Sequence, residues 1–199
     1  MTFIFLSVNR PGMVYFFSGK LTNCREGECM HGEKQYLSYP FLYEKKNVVD
    51  FELLTDEITS LLGQSIAICT DVDLKEELIQ VASLVYHLNP CVRSKTELAQ
   101  EELRWLFKRY THYMKLTKSR ESYFVLPTGG QLGSSLHIVR TKAKQLVRLL
   151  HQLSEEGIEF YDSLFDFSNV LANYAFTAAM YANQLEGIKE IPFESRVYK

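Results

Sequence analysis

Three things are scarce in this chain of 199 residues: cysteine, net charge and unbroken apolar sequence. The four cysteines stand at Cys24, Cys29, Cys69 and Cys91. His31 lies near the first two, but no second Cys/His pair follows at zinc spacing. No metal site is therefore assigned, and the four are read as free thiols of a reducing compartment. A net charge of −2 leaves no electrostatic footprint for nucleic acid, whose phosphates call for clustered positive charge. No apolar run approaches the ~20 residues that cross a bilayer. The opening MTFIFLSVNRPG is apolar, yet it has neither a basic leader nor a small-residue cleavage site. It reads as a buried strand and not as a signal peptide. The expectation is a soluble, cytoplasmic protein with no membrane span and no nucleic-acid partner.

What the chain does have is apolar content. At 46% hydrophobic and 23% charged, residues 1–199 suit a single domain with a sizeable core. Residues 1–40 are the irregular part. Phe3–Val8 and Met13–Phe17 are short β-branched and aromatic runs parted by the turn signal Asn9-Arg10-Pro11-Gly12, so a small hairpin is expected, then a loop. Beyond residue 50 the three- and four-residue apolar spacing of helices takes over. It predicts helices at Asp50–Cys69, Asp73–Leu88, Thr96–Lys118, Gln131–Glu155 and Ile158–Leu185, with Thr96 as an imperfect cap. The fold class expected is all-α: a five-helix up-down bundle over residues 50–187. No internal repeat or low-complexity segment is present.

The chain is organised around Phe124–Arg148, FVLPTGGQLGSSLHIVRTKAKQLVR. A short extended lead breaks at Pro127-Thr128-Gly129-Gly130, and a helix follows. Leu132, Leu136, Val139, Ala143, Leu146/Val147, Leu150 and Leu153 make one stripe, which wants a core. His137, Arg140, Lys144, Arg148 and His151 make another, which can present positive charge to an anion. Alone, such a stripe is more often a solvated face.

The run FVLPTGGQLGSSLHIVRT resembles the signature of the PduO-type ATP:cob(I)alamin adenosyltransferases, in which a Phe-x-x-Pro-Gly-Gly loop precedes a Leu-His-x-x-Arg helix. The segment Thr55–Gly63 is similar to that family's Val-Asp-Glu-Leu-Asn-x-x-x-Gly. Ala179–Gly187 is similar to its closing Ala-Arg-Tyr-Ala-Asn-x-x-Glu-Gly, and Glu190–Phe193 to the tail beyond. The resemblance implies a helical bundle assembled as a homotrimer with active sites between subunits. It also implies transfer of adenosyl from ATP, with Mg2+, to a reduced cobalamin, and hand-over of product to a cobalamin-dependent enzyme. In that light Phe124 covers the lower corrin face, and Asp56 pairs with Arg140. Arg140 and Lys144 meet the phosphates, with Arg10, His137, Arg148, Asn169 and Asn173 as further ligand contacts. Read from composition alone, Phe124 is a core residue, Asp56 an exposed carboxylate, and Asn169 and Asn173 part of a solvated stripe.

Several positions depart from the family pattern. The Thr/Gly/Asp nucleotide loop expected near the start is replaced by Ser7-Val8-Asn9-Arg10-Pro11-Gly12-Met13-Val14. Lys144 stands for an arginine and lacks its bidentate fork; Val147 stands for a glutamate, Val170 for an arginine, and Asn173 for an aspartate. These losses fall on the nucleotide side. An adenosyltransferase is the first expectation. A non-catalytic corrinoid carrier or sensor on the same bundle is the second, and a structural trimer without ligands the third.

Overall fold

The computed structural model describes Tyr36, Ser38, Tyr39 and residues 41–118 and 124–197. The expected hairpin at 3–17, Arg10, Cys24 and Cys29 lie outside the described residues. The chain divides into two compact units, residues 1–44 and 45–199. In the described part of the first, Tyr39 meets Phe41 edge-on at 5.4 Å between ring centres.

The second unit is helical. Its elements are α1 (Val48–Ile68), α2 (Val72–Leu88), α3 (Cys91–Ser94), α4 (Gln100–Thr117), α5 (Gln131–Glu155) and α6 (Ser163–Leu185). Among the described residues there is no strand, only one antiparallel bridge between Val125 and Pro192. The all-α expectation therefore holds, with one short helix added, two helix starts moved by four and five residues, and other ends shifted by one or two.

Local chemistry accounts for those boundaries. The Asp71 carboxylate accepts the Leu74 N–H at 2.8 Å, satisfying one of the orphan donors at the start of α2. After Asn89-Pro90 the chain makes the single turn of α3 and reverses at Lys95, whose φ is 50°. Helix α4 then begins at Gln100, four residues later than the spacing implied. Thr96 is occupied elsewhere, its hydroxyl 2.8 Å from that of Ser94. Glu102 does the capping, accepting the Ala99 N–H at 3.2 Å. Helices α5 and α6 end alike, at Gly157 (φ 75°) and Gly187 (φ 68°), a left-handed conformation that glycine adopts without a Cβ clash. The following residue closes each end: Ile158 N–H donates to the Leu153 carbonyl at 3.0 Å, and Ile188 N–H to that of Asn183 at 2.8 Å. That reversal at Gly157 is why α6 starts at Ser163 and not at Ile158.

Helix α5 packs on α6 and on α1, α6 on α4, and α1 on α2. Across the bundle the order is thus α2, α1, α5, α6, α4. Side chains tie the two outer helices together: Glu77 of α2 accepts from Arg109 of α4 and from the Tyr113 hydroxyl at 3.0 Å. Phe51, Ile58, Leu62, Leu136, Leu150 and Phe167 are fully buried in the core, each contributing roughly 1.5–3 kcal/mol of apolar transfer. A charged pair lies inside as well. Glu52 is 4% exposed and takes both Nε (2.5 Å) and Nη2 (2.9 Å) of Arg93, the bidentate geometry a buried carboxylate needs.

Candidate functional site

Where the extended lead meets the bundle, the chain opens a cavity of about 730 Å³. Each wall comes from an element whose other face is in the core. Helix α4 supplies Tyr110 and Met114, while Leu106, one turn before, is fully buried. Helix α5 supplies Arg140 and Lys144, one turn apart beside the buried Val139 and Ala143. Helix α6 supplies Asn173, Phe176, Thr177 and Met180, and the lead supplies Phe124 and Val125.

Phe124 is 73% exposed, so the ring presents an apolar surface into the opening and is not part of the core. Its backbone is fixed from behind: Phe193 N–H donates to the Phe124 carbonyl at 2.7 Å, and Leu126 N–H to that of Ile191 at 2.9 Å. Arg140 lies with its guanidinium carbon 5.7 Å above the centre of the Phe176 ring, a cation–π arrangement. Burial pulls its pKa down from the ordinary arginine value, although a guanidinium keeps its charge in proteins. Its Nε is buried without a hydrogen-bond partner among the described residues. Lys144 is exposed beside it. A polarisable, ring-rich wall of Phe176, Met114, Met180 and Phe124 thus faces two cations, with no carboxylate among the described lining residues. Such a site suits a ligand that joins a flat apolar body to an anionic group.

The cavity brings together Phe124, Arg140, Lys144 and Asn173, four of the residues expected from sequence. The others are elsewhere. Asp56 is exposed on α1 and forms no ion pair with Arg140 among the described residues. The neighbouring Glu57 pairs with α5 instead, holding Lys142 Nζ at 2.7 Å. Arg148 is exposed, two turns beyond Arg140, outside the lining. Asn169 lines a separate groove between α4 and α6, its amide turned back to the Phe165 carbonyl at 2.9 Å. His137 is 3% exposed and outside the lining. Burial pushes its pKa down to about 4, the Arg140 charge acting the same way and Glu190 against it. The stripe His137–Arg148 is thus not one cationic face, because at neutral pH its first member is a buried, uncharged ring.

Sequence reasoning missed Tyr110, Met114, Phe176, Thr177 and Met180. Phe176 and Thr177 carried a signal that was available, since they follow Asn169 and Asn173 at helical steps. Met114 read as an ordinary apolar helix position, and Met180 as one residue of the closing motif.

Comparison with known proteins agrees with this geometry. The cobalamin adenosyltransferase family model matches residues 44–182. The corrinoid adenosyltransferase MMAB of Mus musculus is 28% identical over 162 residues, 73% of this chain and 64% of that protein. The Bacillus subtilis (strain 168) corrinoid adenosyltransferase is 26% identical over 148 residues, covering 70% and 76%. The chain therefore spans just under two thirds of the mouse relative's length. A variant PduO-type ATP:corrinoid adenosyltransferase from Lactobacillus reuteri, complexed with cobalamin and ATP, superimposes with a TM-score of 0.69 at 25% identity, covering 77% of this chain and 90% of that one. Another variant of that enzyme, complexed with ATP, gives a TM-score of 0.68 at 28% identity and the same coverage. With the family's pattern matched over most of the bundle, and its aromatic lead and Leu-His-x-x-Arg helix meeting at one cavity, this chain belongs to the cobalamin adenosyltransferase family.

Proposed function

We propose that the chain transfers the 5′-deoxyadenosyl group of ATP to the cobalt of a reduced corrinoid, forming adenosylcobalamin and triphosphate. The observation that carries this reading is the single cavity in which Phe124 and the ring-and-thioether wall face Arg140 and Lys144. In the reaction, the electron pair of Co(I) forms the Co–C bond at C5′ as the C5′–O bond breaks, and that oxygen leaves with triphosphate. Negative charge grows on the leaving group, so cations already held in place stabilise the transition state more than mobile water does. Arg140 supplies a planar, partly desolvated guanidinium and Lys144 a more mobile point charge. Phe124, Phe176, Met114 and Met180 give one corrin face a dry cover that keeps water and the axial base from cobalt.

Mg2+ is the expected companion of ATP. The described residues of the cavity lining offer it no carboxylate, and the described residues contain no group of three or more His, Cys, Asp or Glu placed for a metal. The residues described here do not fit a dedicated Mg2+ site. The ion would instead be held by phosphate oxygens and water.

A volume of about 730 Å³ suits one drug-sized ligand, not a corrinoid and a nucleotide together. This supports a complete site formed between subunits of a homotrimer. The exposed positions of Asp56, Arg148 and Asn169 fit that arrangement, with Asp56 free to meet Arg140 of a neighbouring copy. The chain would then work in the cytoplasm and pass its product to a cobalamin-dependent enzyme.

The test is the absorption spectrum of the protein with reduced cobalamin, before and after ATP. Wild type should form adenosylcobalamin. Phe124→Ala should still bind corrinoid but lose roughly tenfold or more in transfer rate, because the lower face is open. Arg140→Ala should weaken both ligands. A wild-type protein that binds corrinoid and makes no adenosyl product is a carrier, and the catalytic reading falls.

A further inference from the structure

We infer that Asn183 is a positioning residue for Phe124, acting through the Thr128–Gly130 loop and not on substrate. The inference rests on the proposed role of Phe124 as the corrin cover. Asn183 is 0% exposed, near the end of α6. Its Oδ1 accepts the Gly130 N–H at 3.1 Å, and its Nδ2 donates to the Thr128 carbonyl at 3.1 Å and to Glu190 Oε1 at 3.4 Å. One buried amide thus holds both sides of the loop and the chain beyond α6.

The loop is shaped to receive that amide. A Cβ at Gly129 would stand 1.9 Å from Asn183 Oδ1, and one at Gly133 would stand 2.2 Å from it. A Cβ at Gly130 would stand 1.8 Å from Glu186 Oε2. Gly129 and Gly133 are therefore required by close approach to the buried amide, whereas the exposed Glu186 carboxylate at Gly130 can swing aside. Beyond Gly187 the chain turns back and pairs with the lead, through the Val125–Pro192 bridge and its two flanking hydrogen bonds to Phe124 and Leu126.

This matters because the Phe124 ring is mostly exposed. Packing does not hold it, so its position follows from its backbone, which residues 191–193 bond directly and which Asn183 anchors four and six residues on, at the Thr128 carbonyl and Gly130 N–H. Asn183 lies outside the cavity lining. It orients the cover without touching the reacting atoms, the support that an exposed functional side chain needs.

The experiment combines kinetics with hydrogen exchange on the full chain. Asn183→Ala should lower adenosyl transfer about tenfold or more with the KM for ATP little changed, since small misplacements of a positioning group weigh heavily on rate. In a Phe124→Ala background the same substitution should add no further loss, because its effect runs through Phe124. Amide exchange in the peptide 124–134 should rise, while the α1 and α2 peptides stay protected. A wild-type rate in Asn183→Ala, or losses that multiply with Phe124→Ala, overturns the inference. If Asn183→Ala does not fold, Asn183→Asp is read in the same way: it keeps the volume and the acceptor for Gly130 but turns a second oxygen toward the Thr128 carbonyl and Glu190. If wild type makes no adenosylcobalamin, the catalytic reading fails by itself. Exchange in 124–134 then decides whether the latch exists, and unchanged exchange would overturn it.

Discussion

Both ring nitrogens of His137 are buried without a hydrogen-bond partner among the described residues, and the ring centre lies 6.0 Å from that of Phe176. Burial is the larger reason its pKa falls to about 4, with the Arg140 charge second and Glu190 opposing. The consequence for stability has a definite sign. An unfolded chain protonates this histidine below about pH 6.5, while the folded chain resists until about pH 4. Stability from this residue is therefore complete above the unfolded value and is lost as pH falls through that window. The loss amounts to at most about 3 kcal/mol. His137→Phe keeps a flat ring and removes the titration, so the acid slope of the urea midpoint between pH 7 and 4 should flatten. An unchanged slope would assign the acid sensitivity to other groups. A neutral His137 also leaves Arg140 and Lys144 as the cations that the cavity itself presents.

Two helical glycines separate what an element requires from what its neighbours require. Gly63 lies within α1 with nothing within 4 Å of an added Cβ. Gly63→Ala should therefore stabilise by roughly 0.5–1 kcal/mol through helix propensity alone. Gly133 lies in the first turn of α5, where an added Cβ meets Asn183 Oδ1 at 2.2 Å and the Ala179 carbonyl at 3.3 Å. There the propensity gain of about 1 kcal/mol competes with overpacking of about 1–3 kcal/mol and with the disturbed hydrogen bonds of a buried amide, about 1–3 kcal/mol. The clash wins, and Gly133→Ala should destabilise by about 2 kcal/mol. Denaturation midpoints of the two variants measured side by side check this. A Gly133→Ala as stable as Gly63→Ala would mean that α5 and α6 are less tightly apposed than their side chains indicate.

For the molecule as a whole, the open matter is what covers its outer faces. Ala178 and Ala179, adjacent apolar residues on two faces of α6, offer no spare surface, because both are fully buried within the chain. Leu53, Phe107 and Ile138 do remain 45%, 50% and 48% exposed, on α1, α4 and α5. If the homotrimer proposed above is correct, light scattering at micromolar concentration should give three times the chain mass. A clean monomer would remove both the trimer and the intersubunit site, leaving Asp56 and Arg148 as ordinary surface charges. No helix among the described residues is long and apolar enough to cross a membrane.

Periodicity along the chain determined the long helices and the buried stripe from Leu132 to Leu153, because burying every third or fourth apolar side chain is a local requirement that each helix carries in its own order of residues. The break at Pro127–Gly130 and the family motifs were legible for the same reason: each is contiguous. Helix starts were less so. Thr96 looks like a cap, and only the turn at Lys95 and the reach of Glu102 moved the start of α4 to Gln100. The site was decided by the tertiary structure. Helical spacing says that His137, Arg140, Lys144 and Arg148 share a direction, but not what lies opposite each of them. Once α6 packs on α5, His137 is sealed in and Arg140 lies over Phe176, while Arg148, farther along, stays in water. Asn183 read as one polar letter in a closing motif. Only folding brings it against Thr128 and Gly130, more than fifty residues earlier in the chain, because a buried amide can be satisfied only by whatever backbone the packing delivers to it.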